Sequence, residues 1–475
     1  MKLNKLFFVG ALLSLGLASC NKEDNGVENS PAVGDTYMSL TMSVPQNSRA
    51  GDEDYNPIGD YEGVDKINTL TVYVADATGV EIKEFAANDL AIETNNALLQ
   101  THPFQVKSGA KTVYAVINIT DDIKATLAAA TNQAELDIKY KDAYVAFASG
   151  KEIAKLDASK DVIMMTGVPV AQDILPNVSV ANAPISNKVN IVVKRAAARV
   201  SMTITAAPKP TAAGVYPIMA QLPGGVEKEL GALSELKWSA GQYELKYYLQ
   251  QKDPVLSPAA NYIPMNNYST EAVKHYDYTT LQDRIDVHYL DHAYTTADVP
   301  NVKYKFISET THEDANYKKG NTAYVLVKGK MTPAADMWAA GESAASNGDI
   351  FFGLMTGKFY GSEQAATTAG NAKVVTYKEG YVYYYAWVNP DTNNPATWKM
   401  APVRRNNIYN VNISKFTNIG LSGNPFNPDP NDPDQPDPED PDQPDPDEPL
   451  PVLKTYMVTQ VTVVPWKVHN YDIVF

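Results

Sequence analysis

Few residues in this sequence have the types and spacing that catalysis or metal binding requires. Six histidines occur in the 475 residues, and only His288 and His292, in the stretch "HYLDH", are spaced like metal ligands. Two histidines four residues apart share one face of a helix, but the glutamate of a metalloprotease pair is missing and the neighbouring residues favour strand and loop. We interpret this stretch as an exposed polar loop, and we predict no metal site and no cofactor.

Nucleophilic catalysis has no better support. The sequence has no G-x-S-x-G motif and no glycine-rich phosphate loop. Its single cysteine, Cys20, excludes a disulfide, a CxxC redox pair or a cysteine-based zinc site within the chain. Carboxylates are numerous enough to include the pair of a glycosidase, yet no feature of the sequence selects two of them. We therefore predict that the protein is not an enzyme.

The lone cysteine follows a secretion signal. Lys2 and Lys5 precede an apolar run from Leu6 to Leu17 that is too short for a permanent transmembrane helix. The signal ends in "LASC", which is similar to a bacterial lipobox, where the cysteine is acylated before the signal is removed. We predict a signal peptide over residues 1–20 and an exported precursor anchored to a membrane through a lipid on Cys20.

A lone arginine lies between the first strand-like stretch and an acidic loop. Arg49, within "PQNSRAGDED", is the only arginine in the first 194 residues. The simpler interpretation is a solvated loop charge. Its isolation would also allow an arginine-specific protease to make a single cut in this part of the chain.

The formal net charge of −15 argues against a nucleic-acid partner, which requires a basic surface. Residues 424–451 contribute ten carboxylates and no basic residue, with proline at every second or third position. Because proline at this density prevents helix and sheet, and because like charges repel, we predict an extended, solvated polyproline-type spacer. The prolines also keep the carboxylates from wrapping one calcium ion.

Strands with one buried face dominate the first part of the chain. Residues 35–44 alternate between apolar and polar side chains, as a half-buried strand does. The apolar positions of this strand are Met38, Leu40, Met42 and Val44. The alternation recurs around Leu70–Val74 and Val113–Ile117, whereas residues 121–156 change to helical spacing. We predict β-sandwich strands decorated by one or two helices.

A second β-rich region follows a proline-containing linker that begins at Ala207. The boundary is placed there, giving an N-terminal domain over residues 50–210 and a C-terminal domain over 211–423. The row "GYVYYYAWVN" could offer aromatic rings to a glycan, but the simpler interpretation is a packed strand. Its two faces are Val382, Tyr384, Ala386 and Val388 on one side and Tyr381, Tyr383, Tyr385 and Trp387 on the other.

The segment after the spacer, residues 452–475, is apolar and strand-forming. On a stiff spacer it is better placed to reach a neighbouring molecule than to complete its own core. Its "TYMVTQVTVV" is similar to the "TYMSLTMSV" of the first strand, and chance similarity of two short strands is the alternative explanation. In that alignment Met38, Leu40, Met42 and Val44 correspond to Met457, Thr459, Val461 and Val463.

In combination these features resemble the fimbrillins, the type V pilus subunits of Bacteroidetes. The features are the lipobox, the alternating first strand, the lone arginine, two β-rich regions and the strand-forming C-terminus. The stretch "RNNIYNVNIS" at residues 405–414 is similar to a strand near the end of many fimbrillins. "KRAAARVSMT" and "VPWKVHNYDIVF" resemble the subunits that build short, or minor, fimbriae. The resemblance covers essentially the whole chain.

The resemblance implies a mainly β fold of two transthyretin-like β-sandwich domains, with helical insertions in the N-terminal one and a tethered C-terminal strand. It also implies that the lipoprotein precursor reaches the outer membrane and is cut between Arg49 and Ala50 by an arginine-specific protease. Residues 21–49 would form a propeptide whose removable strand leaves a groove. A donor strand from another subunit would fill that groove with Met457, Val461 and Val463.

The implied function is that of a structural subunit of an adhesive fimbria at the cell surface. Its partners would be copies of itself, accessory tip and anchor subunits, the protease, and receptors on host or bacterial surfaces. The residues alone leave two alternatives open: a monomeric surface lipoprotein that binds glycans or host protein, and a secreted glycosidase.

Overall fold

The computed structural model describes residues 34–43, 65–92, 98–146, 153–157, 160–205, 210, 212–252, 262–263, 271–390, 400–426, 429–450 and 457–466. Strands far outnumber helices in these residues, so the predicted mainly β class is confirmed. No helix among them has the length and apolar character needed to cross a bilayer. The transthyretin-like arrangement of two sandwiches stays a prediction.

The N-terminal half of the described chain contains thirteen strands and three α-helices. The strands are β1 (Thr36–Ser43), β2 (Thr69–Asp76), β3 (Gly79–Ala86), β4 (Leu90–Ile92), β5 (Leu98–Thr101), β6 (Phe104–Val106), β7 (Gly109–Ile117), β8 (Tyr144–Ala146), β9 (Ala154–Asp157), β10 (Lys160–Ile163), β11 (Met165–Gly167), β12 (Val170–Ile174) and β13 (Lys188–Arg195). The helices are α1 (Asp121–Ala128), α2 (Gln133–Asp142) and α3 (Ala183–Ser186).

Ten of these strands form one curled sheet. The order is β3-β2-β7-β11-β13-β1-β5-β4, with β12 paired to β7 and β6 paired to β1. Leu70 of β2, near one end of this order, and Leu90 of β4, at the other end, share one apolar core with Met38, Leu40 and Met42 of β1. The sheet therefore curls around a single core, in which the first strand is central.

The predicted helices between residues 121 and 156 are confirmed as α1 and α2. Each buries an apolar stripe, represented by Leu127 in α1 and by Leu136 and Tyr140 in α2. The Tyr140 hydroxyl donates to the carbonyl of Gly167 at 3.0 Å, which joins α2 to β11. These side chains belong to a second apolar cluster that also contains Ile408 from the C-terminal half, so the helices lie at the junction of the two halves.

The C-terminal half of the described chain contains sixteen strands and one α-helix, α4 (Glu363–Thr368). The strands are β14 (Ala198–Ile204), β15 (Tyr216–Gln221), β16 (Glu227–Gly241), β17 (Tyr243–Glu244), β18 (Lys246–Tyr248), β19 (Tyr276–Asp277), β20 (Ile285–Asp286), β21 (His288–Tyr289), β22 (Tyr304–Ile307), β23 (Tyr324–Pro333), β24 (Ile350–Gly353), β25 (Lys358–Tyr360), β26 (Val374–Tyr377), β27 (Tyr381–Trp387), β28 (Asn407–Phe416) and β29 (Met457–Pro465).

A second ten-stranded sheet is built from this half, in the order β21-β14-β28-β15-β16-β23-β27, with β20, β22 and β29 paired to β16, β14 and β28. β14 runs parallel to β28 over Arg199–Ile204. The chain therefore changes sheets at residues 196–197, and the domain boundary near residue 210 stays a prediction. Two alanines separate β13 from β14, and the strand pattern runs through them almost without a break.

The tyrosine-rich row forms the predicted packed strand, β27. Val382, Tyr384 and Ala386 belong to the main core of the C-terminal sheet. The opposite side chains of Tyr383, Tyr385 and Trp387 are buried in a separate aromatic cluster together with Phe426 and Leu450. Since both faces of this strand are covered, these three rings do not form an open platform for a glycan.

Candidate functional site

The first strand lies inside the N-terminal sheet with a ladder on each side. β1 runs parallel to β13, with residues 39–43 paired to residues 188–192. On its other edge it runs antiparallel to β6 at its start and to β5 at its end. Because β1 has backbone partners on both edges, its removal would leave two rows of unpaired N–H and C=O groups facing each other.

The side chains of β1 are buried on both faces. Met38, Leu40 and Met42 are at most 1% exposed, as the alternation predicts. The polar face is covered as well, since Ser39 is fully buried and its hydroxyl donates to the carbonyl of Ala183 in α3 at 3.5 Å. The prediction of one buried face is therefore correct for the apolar residues and wrong for the polar ones.

The beginning of β1 is held by a buried asparagine that directly precedes β13. The side chain of Asn187 donates through Nδ2 to the backbone carbonyl of Tyr37 at 2.9 Å. The backbone carbonyl of Asn187 accepts from the N–H of Ser39 at 3.2 Å. The Thr36 hydroxyl donates to the carbonyl of Leu175 at 2.7 Å. β1 is thus hydrogen-bonded to the sheet and, through Thr36, to the segment that follows β12.

The C-terminal strand is paired within its own chain. β29 runs antiparallel to β28, from Met457 opposite Phe416 to Pro465 opposite Asn407. The three predicted donor positions, Met457, Val461 and Val463, are 1%, 3% and 0% exposed in the core of the C-terminal sheet. The prediction that a spacer holds this strand away from its own domain is therefore wrong for the single chain, and its donor role stays a prediction.

The acidic segment is folded, so the prediction of an extended rod is wrong. Asp429, Asp437 and Asp445 recur every eight residues, and each carboxylate accepts the backbone N–H two residues further on at 2.9 Å. This is the Asx-turn arrangement, in which an aspartate side chain closes a turn. Gln443 adds a second closure by donating through Nε2 to the carbonyl of Asp437 at 2.6 Å. Residues 429–450, which we call the acidic strap, form a series of such turns.

The acidic strap is docked on the C-terminal sheet by a buried carboxylate. Asp434 is 8% exposed and pairs with Arg284 and with the ammonium of Lys328, the latter at 2.9 Å. It also accepts a hydrogen bond from the Tyr383 hydroxyl. Burial alone would raise the pKa of Asp434, but the hydrogen bonds from Tyr383 and Lys328 and the charge of Arg284 outweigh it and hold this pKa below its ordinary value.

Apolar contacts hold the chain on both sides of this carboxylate. Phe426, which precedes the strap, is fully buried, with ring centroids 4.9 Å from Tyr324 and 5.1 Å from Tyr385. Leu450, at the other end, is 1% exposed in the same aromatic cluster. The strap therefore covers the outer face of β27 and β23.

The two histidines of the "HYLDH" stretch do not share a helix face. His288 lies in the short strand β21, which is paired in parallel with β14. His292 is exposed and contacts Asp291 at 2.9 Å and Asp298 at 3.0 Å. In the described part of the chain no group of three or more histidine, cysteine or acidic side chains is arranged to hold a metal ion.

Four of the predicted site residues, Cys20, Val44, Arg49 and Ala50, lie outside the described residues. The strands predicted to be removable and to be the donor, β1 and β29, lie in different sheets of the one chain. Sequence reasoning missed the docking residues of the acidic strap. The eight-residue spacing of Asp429, Asp437 and Asp445 was the available signal, because aspartate favours Asx turns.

Comparison with known proteins first defines the class. A family model described as the C-terminal region of fimbrillin, the major fimbrial subunit protein type IV, matches residues 375–472. This range includes β27, β28, the acidic strap and β29. The similarity is therefore to fimbrial subunits, and it lies in the part of the chain that carries the C-terminal strand.

Full-length relatives define the family more narrowly. Two proteins named minor fimbrium subunit Mfa1, from Porphyromonas gingivalis, are each 58% identical to this chain over 501 aligned positions that cover 100% of both chains. The chain belongs to the family of minor fimbrium subunits, the Mfa1 fimbrillins. The resemblance inferred from the sequence motifs is thereby confirmed.

Among solved structures, a fimbrillin, FimA, from P. gingivalis is 15% identical, with a TM-score of 0.46 over 92% of this chain and 99% of that chain. A putative cell adhesion protein from Parabacteroides distasonis is 13% identical, with a TM-score of 0.45 over 92% and 100% of the two chains.

Proposed function

We propose that this chain is the structural subunit of an adhesive surface fimbria, exported as a lipoprotein precursor acylated on Cys20 and cut between Arg49 and Ala50. Loss of the propeptide removes β1, and the groove left in the N-terminal sheet accepts the C-terminal strand of another copy. Copies of the chain thereby polymerise head to tail, with accessory tip and anchor subunits at the two ends and receptors on host or bacterial surfaces.

The observation that carries this proposal is the position of β1, which precedes Arg49 in sequence and yet is central in the core. Met38, Leu40 and Met42 are buried, and burying each such side chain contributes about 1.5–3 kcal/mol. Removing all three exposes a groove whose refilling is worth on the order of 5–9 kcal/mol. A groove with this much apolar surface and two unpaired edges is a strong binding site for a matching strand.

Backbone pairing favours transfer of the C-terminal strand into such a groove. Within the described chain β29 pairs with β28 alone, whereas the position of β1 has β13 on one edge and β5 and β6 on the other. A strand that leaves β28 and enters the groove exchanges one ladder for two. Its apolar side chains are buried before and after the transfer, so the second ladder supplies the net driving force.

In the alignment of the C-terminal strand with β1, three of the four positions are apolar in both strands. Met457, Val461 and Val463 stand where Met38, Met42 and Val44 stand in β1, while Thr459 takes the place of Leu40. The shorter Thr459 would leave part of the Leu40 space unfilled. A register shifted by two residues would keep the same face inward, so the alignment proposes the face of the donor strand and not its register.

The test is polymerisation of the purified precursor after treatment with an arginine-specific protease. We expect filaments from the native chain and only monomers from Arg49→Ala, in which β1 stays in place. Fibres of normal length from the alanine variant would refute activation at this bond. Monomers from the cleaved native chain would favour the monomeric surface lipoprotein instead.

The donor strand requires a test that leaves the chain itself intact, because Val461 and Val463 also stabilise its own core. A synthetic peptide of residues 452–475, added in excess after cleavage, should fill the open grooves and block elongation. The matched control is the same peptide with Val461→Asp and Val463→Asp, since a charge in an apolar groove costs several kcal/mol. Equal filament lengths with both peptides would refute the donor role.

A further inference from the structure

A buried arginine links β13, the strand that pairs with β1, to the residue that follows β29. Arg195 is the last residue of β13 and is fully buried. Its Nε donates to the carboxylate of Asp65 at 3.1 Å, and its Nη2 pairs with the other oxygen of the same carboxylate. The remaining nitrogen, Nη1, donates to the backbone carbonyl of Trp466 at 3.0 Å and to Oδ1 of Asn406 at 3.2 Å.

Trp466 is the residue that directly follows β29, and its contacts fix the end of the C-terminal strand. The Arg195 guanidinium lies 4.6 Å from the centre of the indole ring, within the range of a cation–π contact. The same ring also stacks with Phe306, with the planes 7° apart and the centroids 6.2 Å apart. The backbone N–H of Trp466 donates to the carbonyl of Asn406 at 3.2 Å.

Arginine suits this position because its planar fork reaches three groups at once. One edge of the guanidinium engages Asp65, while Nη1 on the other side holds the carbonyl of Trp466. A lysine could keep the charge beside Asp65 but has no second arm for Trp466. We call the contact of Arg195 with Trp466 the clamp.

The same strand that carries the clamp depends on β1 for its pairing. Residues 188–192 of β13 pair with β1, and residues 193–195 pair with β11. Among the described strands β1 is the only ladder partner of residues 188–192. When β1 leaves, this part of β13 has no ladder on either edge, and it runs directly into Arg195.

We infer that Arg195 couples the two halves of strand exchange. While β1 is in place, β13 is rigid and the clamp holds the C-terminal strand in its own sheet. Departure of β1 loosens β13 and weakens the clamp, so that one cut both opens the acceptor groove and frees the donor strand. The inference rests on the proposed function, and it explains why an uncleaved precursor would not release its C-terminal strand.

Hydrogen exchange of residues 457–466 tests the coupling in the full-length precursor, kept in detergent and at a concentration where size exclusion shows monomers. Exchange of this segment should rise by about tenfold or more when the native precursor is cleaved and loss of the propeptide is verified by mass. In the uncleaved precursor, Arg195→Lys and Trp466→Leu should each raise it without any cut.

The matched control is Arg405→Lys. Arg405 is 3% exposed, pairs with Glu309 at 2.6 Å and donates to the carbonyls of Leu249 and Tyr248, so it is a similar buried arginine that does not hold Trp466. This control should leave exchange of residues 457–466 unchanged before cleavage. If Arg195→Lys does not fold, Trp466→Leu decides alone, because it keeps the pair of Arg195 with Asp65.

Two results would overturn the coupling. One is exchange of residues 457–466 that stays the same after the native precursor loses its propeptide. The other is exchange in uncleaved Arg195→Lys that equals that of the native chain, or in uncleaved Trp466→Leu if Arg195→Lys does not fold. If either result is obtained and the 452–475 peptide still blocks filament growth, the clamp is refuted and donor-strand exchange stands. If the peptide does not shorten the filaments, the donor role itself is refuted.

Discussion

Neutralising one carboxylate should detach the acidic strap from the C-terminal sheet. Asp434→Asn keeps the shape of the side chain and an oxygen that can still accept from the Tyr383 hydroxyl. It removes the negative charge that Arg284 and Lys328 share, and both of those side chains are largely buried, at 12% and 21% exposed. The two cations would then lose the carboxylate that lies between them.

The loss of stability in Asp434→Asn depends on how little of this site is exposed to water. Breaking a fully buried ion pair by removing one partner costs about 3–5 kcal/mol, because an uncompensated charge stays behind. Here water reaches part of Lys328, and the amide retains the Tyr383 hydrogen bond, so we expect about 2–3 kcal/mol for Asp434→Asn. The strap should open before the sheet unfolds, since the sheet keeps its own ladders.

Hydrogen exchange and limited proteolysis of residues 429–450, together with urea unfolding, measure this effect. The control is Glu439→Gln in the same strap, whose pair with Lys373 is exposed on both sides, at 49% and 64%, and should be worth no more than about 0.5 kcal/mol. If Asp434→Asn matches this control in exchange and in unfolding free energy, the strap is not held by Asp434 and the reasoning from burial fails.

Further predictions concern the same surfaces. Because the folded-state pKa of Asp434 lies below its ordinary value of about 3.9, its contribution is complete above about pH 5 and is lost as the pH falls through that lowered pKa, so proteolysis of the strap should accelerate only below about pH 4. Phe426→Ala should lower the free energy of unfolding by about 3–5 kcal/mol in urea titration, since a fully buried ring is removed. Leu40→Ala should destabilise the uncleaved precursor by about 2–5 kcal/mol and leave the cleaved chain unaffected. Cys20→Ser should abolish acylation, measured by mass spectrometry, and surface delivery; normal surface fibres from this variant would contradict the lipobox interpretation.

The spacing of apolar residues was sufficient to predict the strands and helices that bury one apolar face. Met38, Leu40 and Met42 alternate as core residues of a strand must, and α1 and α2 show the spacing of helices that bury one stripe. The faces of β27 were also assigned correctly. In each case the burial of a residue depends on its own side chain and its immediate neighbours in sequence.

The prediction of an extended spacer was wrong because the residues that bind the strap are distant from it in sequence. Proline and aspartate at this density favour a solvated rod when considered alone. Arg284 and Lys328 lie more than one hundred residues earlier, and no residue near Asp434 in the sequence indicates that they pair with it. The aromatic face that buries Phe426 is likewise assembled from separate strands. The change of sheet at residues 196–197 was not predicted either, since only tertiary pairing distinguishes β13 from β14.

A docked strap changes what the C-terminal strand can reach. An extended spacer from residue 424 to residue 451 would allow neighbouring subunits to lie tens of ångströms apart. With Leu450 buried in the aromatic cluster, the chain between it and Met457 spans at most about 25 Å. If the strap stays docked in the fibre, the groove of the next subunit has to open within that distance of Leu450. Successive subunits would then abut end to end, and Asp434 would help to set their spacing.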